Sequence, residues 1–173
     1  MKIAILSDIH DHVENLEKLI KQVKGKIKAV IFCGDLCAPF TAAVFSKMNL
    51  PTYACLGNVD EDHIFMKELG GDKIRWTPLA KEFGQVKLGG RKVAFCHYPK
   101  LGELLAKSKE FDLVCFGHTH KTVNKKVGKA LLINPGAVCG IEGGKYTTPT
   151  YAIYDTNTNV AEIIDINKQS KLS

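Results

Sequence analysis

Short apolar runs in this chain end, one after another, on a side chain that can bind a metal ion. Lys2–Ser7 leads into Asp8 and His10, Lys28–Cys33 into Gly34-Asp35, Pro51–Leu56 into Gly57-Asn58, Arg91–Cys96 into His97, and Asp112–Phe116 into Gly117-His118-Thr119-His120. Runs of this length and composition read as strands buried on both faces. Ligands of α/β sheets bind outside the carboxyl ends of the strands. A fold that aligns these ends therefore gathers two carboxylates, one amide oxygen and four imidazoles. Singly, a histidine after a strand or a Gly-Asp pair is ordinary scaffolding or turn chemistry. Recurrence at every strand end is what points to a site. Gly34, Gly57 and Gly117 directly precede donors, where the lack of a Cβ permits a sharp turn and close backbone approach.

Between the runs the pattern alternates. Val13, Leu16, Leu19, Ile20 and Val23 recur at helical spacing, so His12–Lys24 reads as an amphipathic helix ending near Gly25. Asp11 fits its N-cap, with Glu14 completing a capping box. Pro39–Met48 is a second helix with proline at its start, and Val59–Leu69 a weaker third. Phe83–Leu88 and Arg91–Cys96 flank Gly89-Gly90, a two-residue hairpin signal. A short helix over Lys100–Lys107 leads to the strand Asp112–Phe116. Lys129–Ile133, Pro149–Tyr154 and Val160–Ile166 complete the strands. Helical crossovers in the first half predict parallel pairing, and the second half a mixed or antiparallel sheet. The fold class is α/β (α+β): two packed mixed β-sheets flanked by helices. At 173 residues the chain fits one domain over 1–167 with a polar tail over 168–173, and a chain of this size buries roughly 70% of its unfolded surface.

Six cysteines, Cys33, Cys37, Cys55, Cys96, Cys115 and Cys139, form no C-x-x-C pair. Four of them sit in or at the end of apolar runs, as small buried hydrophobes do; Cys37, two residues after Asp35, is placed to line the site. No export signal precedes Asp8 and no apolar stretch has bilayer length, so the expectation is a cytoplasmic protein without membrane contact. The net charge of +6 concentrates in Lys121, Lys125, Lys126 and Lys129. These suit a solvated edge hairpin better than a rim that draws in phosphate.

Oxygen and imidazole donors without thiolate suit divalent manganese, iron, cobalt, nickel or zinc. Seven donors are too many for one tetrahedral ion and fit two ions sharing a carboxylate, about 3.5–4 Å apart in two-metal sites. The order Asp8-x-His10, Gly34-Asp35, Gly57-Asn58, His97, Gly117-His118-x-His120 resembles the calcineurin-like metallophosphoesterase family. The short chain and Asn134-Pro135-Gly136 resemble its small bacterial and archaeal phosphodiesterase branch. The resemblance spans Lys2 to about Asp155. It implies a sandwich of two sheets, two divalent metal ions (Mn²⁺, Ni²⁺, Fe²⁺, Co²⁺ or Zn²⁺), and phosphodiester hydrolysis by in-line attack of a metal-bridging hydroxide. Asp8, His10 and His120 would bind one ion, Asn58, His97 and His118 the other, with Asp35 bridging. Asp35, Asn58 and His97 would be the catalytic set, and Asn134-Pro135-Gly136 would shape the wall.

One position departs from that pattern. Many members follow the metal-binding asparagine with a histidine that serves the leaving group; here Val59 stands there. Loss of a general acid costs about 10²–10⁴ in rate, so good leaving groups should be preferred. The small branch often lacks this histidine too. Asp60 reads as a helix N-cap, and His12 and His63 as surface or packing residues.

The expected partner is a small phosphodiester substrate, with oligomeric state left open. An alternative keeps the fold without catalysis, as an interaction scaffold. The eukaryotic retromer scaffold subunit resembles the same branch, and Val59 gives that reading weight. A nuclease is a third reading, but related nucleases carry extra strand-holding domains. This chain also lacks a run of interleaved basic and aromatic residues, so nucleic acid is not expected. Specificity would be set by Asp11, Cys37–Phe40, Asp60–Phe65 and Tyr98–Gly102.

Overall fold

Alternation along the first strand explains the layering. In β1 (Lys2–Leu6), Ile3 and Ile5 face one way and Ala4 and Leu6 the other, all fully buried. Successive strand side chains point to opposite faces, so a strand apolar at four successive positions needs cover on both sides. On one side lies α1 (Val13–Val23), whose Leu16, Leu19 and Val23 join Ala4 and Leu6 in one cluster. On the other lies a second sheet. Truncating Ile5 to alanine between these layers should cost about 2–5 kcal/mol.

The computed structural model describes residues 1–168, so the expected polar tail lies, after Lys168, outside the described residues. From α1 the chain runs through β2 (Ala29–Phe32), α2 (Pro39–Ser46), β3 (Thr52–Ala54), α3 (His63–Gly70) and β4 (Ile74–Trp76). It continues through β5 (Gly84–Leu88), β6 (Arg91–Phe95), α4 (Pro99–Lys107), β7 (Leu113–Cys115), β8 (Val123–Val127) and β9 (Ala130–Asn134). A small hairpin of β10 (Ile141–Glu142) and β11 (Lys145–Tyr146) precedes β12 (Thr150–Asp155) and β13 (Val160–Asp165).

Two mixed sheets result, with orders β13-β12-β1-β2-β3-β4 and β5-β6-β7-β9-β8. β1 to β4 pair in parallel through helical crossovers, and β6, β7 and β9 are also parallel, β6 and β7 joined through α4 and β7 and β9 through β8. Ile3, Ile5 and Ile31 meet Val93, Phe95, Leu113 and Ile133 between the sheets. Val114, Phe116 and Leu132 turn outward to Leu105 and Ala106 of α4. The order of layers is helix, sheet, sheet, helix, the architecture the alternating pattern predicts. The lysine-rich β8 lies at the edge of the second sheet, where charge discourages further strand addition.

Several local expectations are corrected. α1 is capped by the His12 side chain, which accepts from the Asn15 amide, and not by Asp11. Asp11 instead accepts from the Ala38 amide at 2.9 Å and the Thr41 hydroxyl at 2.5 Å, tying the β1–α1 turn to the start of α2. α3 begins at His63, not Val59, and its cap is Asp62 rather than Asp60. The three-residue β4 carries too little pattern to read from sequence; it forms because β3 supplies a parallel partner. Gly89 and Gly90 adopt φ of +53° and +83° in the β5–β6 hairpin, the left-handed pair that their sequence signal requires.

Candidate metal centre

All seven donors converge. The parallel strands of both sheets point their carboxyl ends to one edge, and the turns after β1, β2, β3, β6 and β7 deliver Asp8 and His10, Asp35, Asn58, His97, and His118 and His120. His10 Nε2 lies 3.1 Å from His120 Nε2, 3.5 Å from Asp35 Oδ2 and 3.9 Å from Asp8 Oδ1. His120 Nε2 is 3.4 Å from Asp8 Oδ1. On the other side His97 Nε2 is 3.4 Å from Asp35 Oδ2, 3.0 Å from Asn58 Oδ1 and 3.2 Å from His118 Nδ1. His118 Nδ1 is 2.9 Å from Asn58 Oδ1. One oxygen, Asp35 Oδ2, therefore stands between two clusters, at nearly equal distance from a histidine of each.

The backbone is bent to make this possible. Asp8, His10, Asp35, His118 and His120 have φ between +44° and +69°. Each non-glycine residue in that region costs of order 1–3 kcal/mol and persists only where its surroundings dictate it. Two glycines are dictated by close approach. A Cβ on Gly57 would sit 2.0 Å from Asp35 Oδ1, and one on Gly117 1.8 Å from Ser7 Oγ.

Asp60 holds these turns, and sequence reading missed it. Its buried carboxylate accepts four backbone amides: Asp35 at 2.9 Å and Gly57 at 2.7 Å on Oδ2, Leu36 at 2.7 Å and Cys37 at 2.9 Å on Oδ1. The signal was the string Gly57-Asn58-Val59-Asp60, where an acid so close to a donor turn can reach back to it. Asn134 does the same for the last turn. Its amide donates to the Gly117 carbonyl at 2.9 Å and the Thr119 hydroxyl at 3.0 Å.

Outer partners fix the imidazoles. His97 Nδ1 donates to the Cys33 carbonyl at 2.8 Å and His120 Nδ1 to the Ile141 carbonyl, leaving each Nε2 directed inward. Carbonyl partners of this kind set tautomer and ring orientation for metal ligands. His10 Nδ1 faces Cys37 Sγ at 3.5 Å, and Cys139 Sγ lies 4.0 Å from His120 Nδ1, so thiols flank the first cluster. Cys139 was not anticipated as a neighbour of the site. Burial, with the charges of Asp11, Asp60 and Asp35, pushes the Cys37 thiol up to about 12, which keeps it neutral. All six cysteines are free thiols. His63 lies outside the cluster, its Nε2 against the Asp60 carbonyl.

The electrostatics explain what the site lacks without a cation. Inward imidazole nitrogens face amide and carboxylate oxygens, so electron pairs point at one another across about 3 Å. Only a positive charge between them makes this favourable. Without metal, protons serve. Hydrogen bonding to Asp8 raises His120 to about 11, aided by Cys139 and the Ile141 carbonyl and opposed by burial. Burial lowers His97, but its bond and charge interaction with Asp35 outweigh that and raise it. Burial likewise raises Asp35, while His97, the Val59 amide and His10 bring it below its ordinary value. Among the described residues, Asp8–His10–Asp35, Asp35–His97–His118 and His10–His120–Cys139 each have ligand atoms within 4.8 Å of one another. The donor set fits divalent ions of the oxygen- and imidazole-binding kind.

A family model described as calcineurin-like phosphoesterase superfamily domain matches residues 1–159. The chain is 35% identical over 159 residues to phosphodiesterase MJ0936 of Methanocaldococcus jannaschii, covering 90% of this chain and 93% of that one. The solved structure of a novel archaeal phosphodiesterase superposes with a TM-score of 0.84 at 33% identity, covering 95% of this chain and 99% of that one. Vacuolar protein sorting-associated protein 29 of Schizosaccharomyces pombe is 23% identical over 173 residues, covering 90% of this chain and 84% of that one. Among the described residues no helix is long and apolar enough to cross a membrane. With a family model matching residues 1–159 and relatives of this identity and fold, the chain belongs to the calcineurin-like phosphoesterase superfamily.

Proposed function

We propose that this chain is a phosphodiesterase dependent on two divalent ions. Asp8, His10 and His120 would hold one ion and Asn58, His97 and His118 the other, with Asp35 shared between the two sets. The observation that carries the reading is Asp35 Oδ2, 3.5 Å from His10 Nε2 and 3.4 Å from His97 Nε2, with every other donor turned toward the same two gaps. Once bound, such ions supply the Lewis acid that activates water for in-line attack at phosphorus and neutralises charge on the phosphoryl oxygens. The chain's own residues do the rest. Asp35 and Asn58 fix the spacing, the Cys33 and Ile141 carbonyls accept from Nδ1 of His97 and His120 and so turn each Nε2 inward, and Asp60 holds the turns. The similar archaeal phosphodiesterases support the substrate class.

No imidazole follows Asn58, where Val59 donates its backbone amide to Asp35 Oδ1 at 3.2 Å. The leaving group therefore departs with little help, and activated aryl esters are the favoured substrates. Protein loaded with Mn²⁺ or Ni²⁺ should hydrolyse bis-p-nitrophenyl phosphate, and Asp35→Asn should abolish this. Metal-loaded wild type that turns over no phosphoester, with both ions bound, would overturn the reading.

A second reading, an interaction scaffold, is favoured by Val59 and by exposed apolar side chains on α2 and α3. Phe40 is 71% and Ile64 84% exposed, and Phe40 meets Phe65 edge to face. The same turnover measurement separates the two readings.

A further inference from the structure

We infer that Tyr98 forms an aromatic subsite beside the His97–His118 cluster, and that the substrates are phosphodiesters carrying a planar aromatic or heteroaromatic ester group. This rests on the phosphodiesterase reading and names its substrate class.

Tyr98 follows His97 directly and stands at the N-cap of α4, with Pro99 next. A residue before proline is restricted to extended backbone, and Tyr98 has φ −85° and ψ 137°. Its carbonyl accepts the Gly102 amide, so the start of the helix anchors it as well. The ring centroid lies 5.2 Å from that of His97 and 5.1 Å from that of His118, at interplanar angles of 74° and 65°. These are edge-to-face contacts of the kind aromatic pairs favour. They hold the ring beside two imidazoles whose nitrogens face the site, yet Tyr98 remains 48% exposed.

A large ring left half in water at the lip of a polar site is not covered by the packing of this chain. It is positioned for a group that arrives with the substrate. A phosphoryl group at the donor cluster would place one ester substituent within a ring's reach of Tyr98. A flat aromatic substituent gains most, because stacking needs a π-face and little else, and for one base on one side chain it changes affinity by roughly fivefold or more.

The test reads binding separately from turnover. Phenylphosphonate and methylphosphonate present the same anion to the metal-loaded protein and differ only in the planar ring. Calorimetry on Mn²⁺-loaded wild type should show phenylphosphonate binding about fivefold or more tighter. That preference should vanish in Tyr98→Leu and survive in Tyr98→Phe, with methylphosphonate affinity the same in all three. Kinetics should agree. The kcat/KM advantage of phenyl p-nitrophenyl phosphate over methyl p-nitrophenyl phosphate should fall in Tyr98→Leu through KM, with kcat kept. A preference absent in wild type, or retained in Tyr98→Leu, overturns the subsite. So does an equal loss for both phosphonates in Tyr98→Leu, since that is what mere support of His97 and His118 would produce. Failure of turnover with the binding preference intact would instead count against the phosphodiesterase reading alone.

Discussion

The two halves of the candidate metal centre are built from different chemistry. Asp8, His10 and His120 form a charged half: Asp8 is fully buried, and two thiols stand just behind the imidazoles. Asn58, His97 and His118 form a half that is neutral apart from the shared Asp35. An amide oxygen replaces the second carboxylate, His118 is exposed, and Tyr98 replaces the thiols as neighbour. A carboxylate of its own should let the first half hold a cation more strongly, while the open second half is where a substrate arrives. Metal binding in two steps of unequal affinity, the first half filling first, is the expected outcome of a calorimetric titration.

The largest effect should come from removing what the halves share. Asp35→Asn takes away the bridging charge, and p-nitrophenol release should fall to background while the fold, followed by circular dichroism, is kept. Next is the second half's missing acid. Val59→His retains the backbone amide that Asp35 uses and adds an imidazole beside Asn58. Turnover of poor leaving groups such as alkyl esters should rise by up to about 10², the lower end of a general acid's contribution, with little change for p-nitrophenyl esters. The support beneath both halves comes third. Asp60→Asn puts an amide donor against two backbone N–H groups and should cost about 3 kcal/mol in urea unfolding.

Smaller effects sharpen the contrast within the first half. Cys37→Ser alters only what backs His10, so affinity for the first ion should change by about tenfold, the low end for outer partners of a ligand. The charge of His120 gives a pH signature. Its value is raised to about 11, above an unfolded value near 6.5. Its pairing with Asp8 therefore stabilises the metal-free protein fully below about pH 6.5, and that stability is lost as pH rises through about 11. Melting temperatures of metal-free wild type should fall relative to His120→Gln across this window. Metal must displace the same proton, so affinity for the first ion should rise with pH.

Much of this was legible because strand, turn and donor lie together in the chain. The apolar runs predicted β1, β2, β6 and β7, and glycine or the strand end marked each donor. Asp60 as the brace of the turns and Cys139 as a neighbour were not legible, and Tyr98 was legible only as the start of a segment expected to set specificity. Asp60 resembles any helix cap until its four amide partners are seen, three of them on the turn after β2. Cys139 lies in a glycine-rich stretch with no periodic signal. Helix and strand limits shifted by a few residues because caps depend on partners elsewhere, as Asp11 turning to Ala38 and Thr41 shows.

The sequence alone determined the layers and the donor inventory, since both follow from periodicity and residue type, which act over a few neighbours. Tertiary structure decided which nitrogen of each histidine faces inward, which carboxylate is shared, and which aromatic ring stands at the mouth. Those outcomes hang on contacts between residues far apart in the chain, such as His97 with Cys33 and His118 with Asn58, and no local pattern encodes them.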